Sequence, residues 1–437
     1  MFKGIKSTKI HPIIKVFGIV GIIVSLLVIV RVVFKMDNHF NEVARSENSV
    51  AGDYIAGDKV EGDKIVNNYY GPVETEENIE IEQYVAAGKR QFRAKEYESA
   101  IDSFTKALSL DHYDCIECLS YRGQSYVYAY RYSEAVKDFD AVLEVKPYDS
   151  VILKIRGEAL SCLNRYREAL ESLNSSIEYN PLDSEAWALR AEIKFALEMS
   201  DEAIVDITQS IELSPTEGGN WYRRGLFYYQ LGEFDLAVND LLKAIELRPL
   251  IGKYYFILSL SYREKGETYK AHSLIETATK QNPSCASLFE ALSTYYYMEG
   301  MNEEALLSIN RAIELESTHI AFLQIRARIL LDEKRYEDAL ADLDKAVTLK
   351  PNDAYNYFYR ALFYNAVGDY EQALSDNDKT IEMSRNNAEF WYERAITYMN
   401  LLEIPNALID VENAIYFEPN NRKYLDLKAE IESFIGA

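Results

Sequence analysis

Cysteine, proline and glycine are scarce in this chain, at 4, 10 and 19 copies among 437 residues. Four cysteines (Cys115, Cys118, Cys162 and Cys285) are too few for a disulfide scaffold at this length. Little proline and glycine, beside 48% hydrophobic and 27% charged residues, excludes a disordered chain. Acidic residues are missing from positions 1–35, where Lys3, Lys6, Lys9, Lys15, Arg31 and Lys35 stand alone. The remaining 41 basic and 70 acidic residues leave the rest of the chain at −29. Such a surface repels phosphate backbones and forfeits counterion release, so nucleic acid is excluded as a partner. The five histidines are unclustered, and no phosphate loop, nucleophile elbow or paired-carboxylate signature is visible. No catalytic residue, cofactor or metal is expected.

One long hydrophobic run is present. Val16 to Val30 carry no charge, with Ser25 as the polar interruption. Those fifteen residues cover about 22 Å as a helix, whereas Pro12 to Phe34 cover about 34 Å and cross a bilayer core. Lys15 and Arg31 then snorkel toward the headgroups. A removed signal peptide needs a small-x-small site after the run, but the sequence reads Arg31-Val32-Val33-Phe34-Lys35. Residues 12–34 are therefore expected to be a single transmembrane helix behind a basic tail, 1–11. The basic-residue count favours a cytoplasmic N-terminus, which puts the rest of the chain outside the cytoplasm.

Residues 35–80 read as a linker. Within it, 51–65 form three pentads, with Gly-Asp at Gly52, Gly57 and Gly62 and a closing Ile55, Val60 or Ile65. Gly-Asp favours turns and the β-branched residues favour extended backbone. Two readings stay open: a polar spacer, or a module through which copies of the chain oligomerise.

From Ile116 onward the sequence repeats every 34 residues, with units starting at Ser150, Ser184, Gly218, Gly252, Ala286, Ile320, Ala354 and Ala388. A further unit starts at Ile81, one residue out of step. The twentieth residue of all ten units is alanine, from Ala100 to Ala407, and the eighth is always Gly, Ala or Ser. All three tryptophans (Trp187, Trp221, Trp391) occupy the fourth place, and seven of the ten prolines the thirty-second. Proline there ends a helix. Trp221-Tyr-Arg-Arg-Gly225-Leu-Phe-Tyr228, then Ala237-Val-Asn-Asp-Leu241 and Pro249, resembles the tetratricopeptide repeat. The resemblance covers 81–421 and implies an all-α, right-handed superhelical α-solenoid of antiparallel helix pairs. Residues 422–437 read as its amphipathic capping helix.

Two columns correlate. Arginine is the seventh residue in seven units, where the family has leucine, and aspartate is the twenty-third in six. Every unit with the aspartate has the arginine. Ion pairs within each unit are expected: Arg122–Asp138, Arg190–Asp206, Arg224–Asp240, Arg326–Asp342, Arg360–Asp376 and Arg394–Asp410. Taken as partly exposed, each contributes about 1 kcal/mol or less. Cys115-Ile-Glu-Cys118 near His112 offers two zinc ligands where a structural site needs four, so loop packing is expected, with a local disulfide as the other reading. Asn377 and Lys194 break their columns and read as locally satisfied polar groups.

In the family, the first helix of each unit lines the concave face. The second, fifth, ninth and twelfth residues share a stripe. That projection places Tyr222, Leu226, Tyr229, Phe256, Leu260, Tyr297, Tyr355, Phe358, Leu362, Tyr392 and Ile396 in a groove for a protein or peptide partner. The units at Ser150 and Ser184 present Lys154, Glu158, Glu185 and Glu192 instead. A membrane-held interaction scaffold is the leading function. An oligomeric regulatory or sensory protein and, further off, a peptide- or glycan-modifying enzyme are the alternatives.

Overall fold

The computed structural model describes residues 76–110, 115–419 and 421–435. The segment 12–34, the pentads 51–65 and His112 lie outside them. Among the described residues every regular element is an α-helix, 21 in number, and none is long and apolar enough to cross a membrane.

The helices come in pairs, such as Ser150–Cys162 with Tyr166–Tyr179. In the units at Ser150, Ser184 and Ala354 the first helix starts where an aspartate side chain caps it. Asp149 Oδ1 accepts from the amides of Val151 and Ile152 at 3.2 and 3.1 Å, and Asp183 does the same for its own helix. These contacts satisfy amides that have no partner inside the helix. The first pair begins at Glu76, upstream of the Ile81 register. A single helix, Arg422–Ile435, ends the array, with Tyr424 and Ile431 packed among Ala407, Val411 and Ala414.

Small residues set how closely the two helices of a unit pack. A Cβ on Gly123 would lie 2.6 Å from Phe139 Cε1, so the ring needs the hydrogen that glycine provides. Phe104, Phe139, Leu173, Ile207, Leu241, Ile275, Ile309, Leu343 and Val411 occupy one column, and all are buried. Each tryptophan then ties its unit to the loop before it. The indole N–H donates to Pro181 O, Pro215 O and Arg385 O at 2.9, 2.9 and 2.7 Å.

The turn between the two helices always places its fifteenth residue in the left-handed region. Gly232, Gly266, Gly300 and Gly368 do this freely, but Lys95, Tyr130, Asn164, Glu198, Lys334 and Leu402 do it with a side chain.

The packing is locally tighter at Gly252. A Cβ there would fall 1.8 Å from Ser287 O, so the first helices of the units at Gly252 and Ala286 make a backbone-to-backbone approach. Ser287 Oγ accepts from Gly252 N–H at 3.1 Å and donates to Leu250 O at 2.9 Å. In these two units the small eighth residue is serine. Ser259 and Ser293 Oγ donate to the carbonyls of Ala271 and Ala305 at 3.2 and 2.8 Å.

Distant units also meet. Asn164 Nδ2 donates to Asn386 O at 3.4 Å, 222 residues away, which is roughly six and a half repeats. Lys350 Nζ stands 5.8 Å above the Tyr130 ring. The inner turns of early units therefore abut the connecting loops of late ones.

Candidate functional site

The arginine column fixes the first helices, and through them whatever they display. All six expected pairs form, each with two parallel bonds. Arg190 Nε and Nη2 reach Asp206 at 2.7 and 2.8 Å, and Arg326 meets Asp342 at 2.7 Å twice. The aspartate side chains are 3–8% exposed, deeper than the sequence suggests. Burial makes an uncompensated partner expensive, so removing one member of a pair costs more than the surface figure.

The sequence reading missed the third bond. The free Nη1 of each arginine crosses to the preceding unit. Arg190 reaches Asn174 at 2.8 Å, Arg224 Thr208 at 3.1 Å, Arg326 Asn310 at 2.8 Å, Arg360 Asp344 at 2.6 Å and Arg394 Asp378 at 2.7 Å. Arg122 reaches Thr105 at 3.2 Å. Arg156, whose unit has Ser172 in place of aspartate, bonds Ser172 Oγ and also Asp140 at 2.6 Å. The signal lay in the twenty-fifth column: Thr, Asp or Asn precedes every arginine unit, and Leu242 precedes the unit at Gly252, which has none.

The expected groove residues separate into two groups. Tyr222, Leu226, Tyr229, Phe256, Leu260 and Phe358 are buried, with Tyr222 at 2% and Leu260 at 0%. Tyr222 stacks on Tyr254 at 4.9 Å and Tyr229 lies 5.8 Å from Phe234. Tyr297, Tyr355, Leu362, Tyr392 and Ile396 keep part of their surface. The Tyr355 hydroxyl accepts from Asn387 Nδ2 at 3.2 Å, and Lys423 Nζ stands 4.0 Å over the Tyr392 ring. Burial raises the phenol pKa of Tyr297, Tyr355 and Tyr392. All three act as neutral donors and acceptors near neutral pH.

Charged groups on the same face are mostly matched. Lys154 pairs with Asp183 at 2.7 Å, and Arg223 holds Glu192 at 2.6 Å and Glu185 at 3.2 Å. Arg223 and the exposed Arg328 were absent from the sequence projection. Arg328 Nε donates to Tyr297 Oη at 3.3 Å, and Tyr297 donates to Asp332 Oδ2 at 2.5 Å. Glu393, buried, accepts from Asn365 Nδ2 at 2.8 Å, and burial holds its carboxyl above the usual range against that bond. Glu290, partly buried, is pushed up to about 8 by burial, with Glu316 adding and Lys253 opposing.

The two column-breaking residues have local partners. Lys194 meets Asp206 at 3.0 Å and Glu202 at 3.3 Å. Asn377, at 0% exposure, donates to Thr397 Oγ1 at 2.8 Å, while its Oδ1 has no hydrogen-bond partner. Cys115 and Cys118 are joined as a disulfide at the start of the helix Ile116–Tyr128.

Comparison with known proteins follows the same architecture. Two models described as tetratricopeptide repeat match residues 156–217 and 221–249, and one described as ChAPs (Chs5p-Arf1p-binding proteins) matches 255–421. Among solved structures, yeast Tom70 is 15% identical over 83% of this chain and 90% of its own, with a TM-score of 0.46. A tetratricopeptide repeat protein from Parabacteroides merdae is 20% identical over 57% and 98%, with a TM-score of 0.42. MamA is 21% identical over 39% and 92%, with a TM-score of 0.36. The comparison with curated proteins finds no match. The chain carries tetratricopeptide repeats at 156–217 and 221–249, within a longer run of successive helix pairs.

Proposed function

We propose that this chain is a membrane-tethered interaction scaffold whose first helices between Ala286 and Asn400 receive an extended peptide of a partner protein. The observation that carries the reading is the division of the inward stripe. In the units at Gly218 and Gly252 it is consumed by packing between neighbours. In the later units Tyr297, Arg328, Leu362, Tyr392 and Ile396 retain surface. Aromatic rings and an arginine with fixed partners make low-entropy anchors, the residue types that dominate peptide recognition. The tether rests on the apolar run 12–34.

Phage-displayed random nonapeptides panned on the full chain in detergent micelles test the groove. Selected peptides should lose about ten-fold or more in affinity to Tyr392→Ala and to Arg328→Ala. Equal binding to both variants sinks the assignment of the site. For the tether, alkaline carbonate extraction of membranes from expressing cells should leave the chain in the pellet, and its release into the supernatant removes the anchor.

A further inference from the structure

Most charged side chains named above on the inward face have an ionic or hydrogen-bonded partner. Lys154 has Asp183, Glu185 and Glu192 have Arg223, Glu393 has Asn365 and Arg328 has Tyr297. Glu290 occupies the fifth place of its unit, the same column as Lys154, Tyr222, Phe256, Gln324 and Tyr392. Among the described residues its carboxylate accepts no hydrogen bond and joins no ion pair, although the side chain is partly buried. Gln324, one unit on in that column, is satisfied by Asn356 Oδ1 at 2.9 Å.

We propose that Glu290 is a specificity residue of the groove, receiving a lysine or arginine side chain of the bound peptide. This rests on the groove reading above and adds the chemistry of the ligand. A half-buried carboxylate without donors is stabilised by any cation brought to it, and a cation with its own N–H groups supplies the missing hydrogen bonds. The chain's net charge of −23 attracts basic segments from a distance. The titratable groups around Glu290 act in opposite senses: Glu316 disfavours its ionisation and Lys253 favours it.

The peptides selected on the full chain provide the test. Their consensus should hold one fixed basic position, and replacing it with norleucine should weaken binding about ten- to hundred-fold. Glu290→Gln should weaken the lysine peptide by a similar factor and leave the norleucine peptide unchanged. With N-acetylated peptides, lysine stays charged to near pH 10 while Glu290 ionises through about 8. Binding to the native chain should therefore tighten from pH 6.5 to 8.5, and binding to Glu290→Gln should stay flat. Peptides lost on Tyr392→Ala but lacking a basic preference, or binding Glu290→Gln equally, overturn this proposal and spare the groove. Peptides indifferent to Tyr392→Ala and Arg328→Ala, or no selected peptides at all, overturn both.

Discussion

Arg224 and Asp240 face one another through two parallel bonds, Nε to Oδ2 at 2.7 Å and Nη2 to Oδ1 at 2.9 Å, while Nη1 crosses to Thr208 at 3.1 Å. One side chain thus joins both helices of a unit and the unit before it. Asp240→Ala leaves a half-buried guanidinium with one neutral acceptor and should cost about 3 kcal/mol. Thr208→Ala removes a single bond and should cost about 0.5–1 kcal/mol. Because a repeat array can open unit by unit, hydrogen exchange in Gly218–Leu247 is the readout, not a single melting temperature. Equal losses for the two variants would reject this division of labour.

Much of the architecture was legible because each column faces the same surroundings in every unit. Alanine at place twenty, proline at thirty-two and the Arg–Asp correlation all read directly onto packing. The inter-unit bond to the twenty-fifth residue is harder to see, because that column varies among Thr, Asp and Asn and its partner lies in the next unit. The division of the stripe was hidden for a different reason. Whether Tyr222 or Tyr392 keeps surface depends on how closely adjacent first helices approach. Tyr222 meets the Tyr254 ring of the next unit at 4.9 Å, whereas Tyr392 meets Tyr424 of the last helix at 5.1 Å and keeps part of its surface.

Gly252→Ala should be severe. Its Cβ would meet Ser287 O at 1.8 Å, a backbone atom that cannot swing aside. The two first helices must separate, at a cost of about 3 kcal/mol, and exchange should quicken in Gly252–Glu264 and Ala286–Met298 together. Gly266→Ala is the control for a glycine in open space: its penalty comes only from the left-handed backbone, about 1 kcal/mol, and stays within its own unit.

Leu402→Gly should stabilise. Leu402 holds φ at 59° and is 81% exposed, so glycine removes left-handed strain without removing core. Strain relief of about 1–2 kcal/mol outweighs the added freedom of the unfolded chain, leaving a gain of about 0.5 kcal/mol. Leu402→Ala keeps the strain and should be neutral. Exchange in Ala388–Phe417 distinguishes the two, and faster exchange in the glycine variant would contradict the argument.

Stability should fall as pH rises through the ionisation of Glu290. Burial raises its folded pKa to about 8 from an ordinary 4.5. A raised pKa means that the folded state favours the neutral acid. Its contribution is complete below about 4.5 and is lost as pH rises through about 8. Glu290→Gln should therefore protect Ala286–Leu315 by on the order of 2 kcal/mol at pH 9 relative to the native chain, with little difference at pH 5. An equal effect at both pH values would mean that the carboxylate is solvated and ordinary.

The contact between Asn164 and Asn386 arises from the rotation accumulated over about six and a half repeats, which no local pattern encodes. The contacts there include two weak links, the 3.4 Å amide bond and the Lys350–Tyr130 cation–π pair at 5.8 Å. Small angular changes per unit add up, so this seam is the most sensitive gauge of the array's curvature. Nitroxides at the exposed flanking positions Ser133→Cys and Asn352→Cys, with Cys162 and Cys285 replaced by serine, report on it by dipolar spectroscopy. The expected result is one narrow, short-distance population. Adding Asn164→Ala and Lys350→Ala should broaden it toward longer distances. A broad, long distribution in the parent pair would mean that the early and late units do not meet in solution. The concave face would then be more open than the contacts here require.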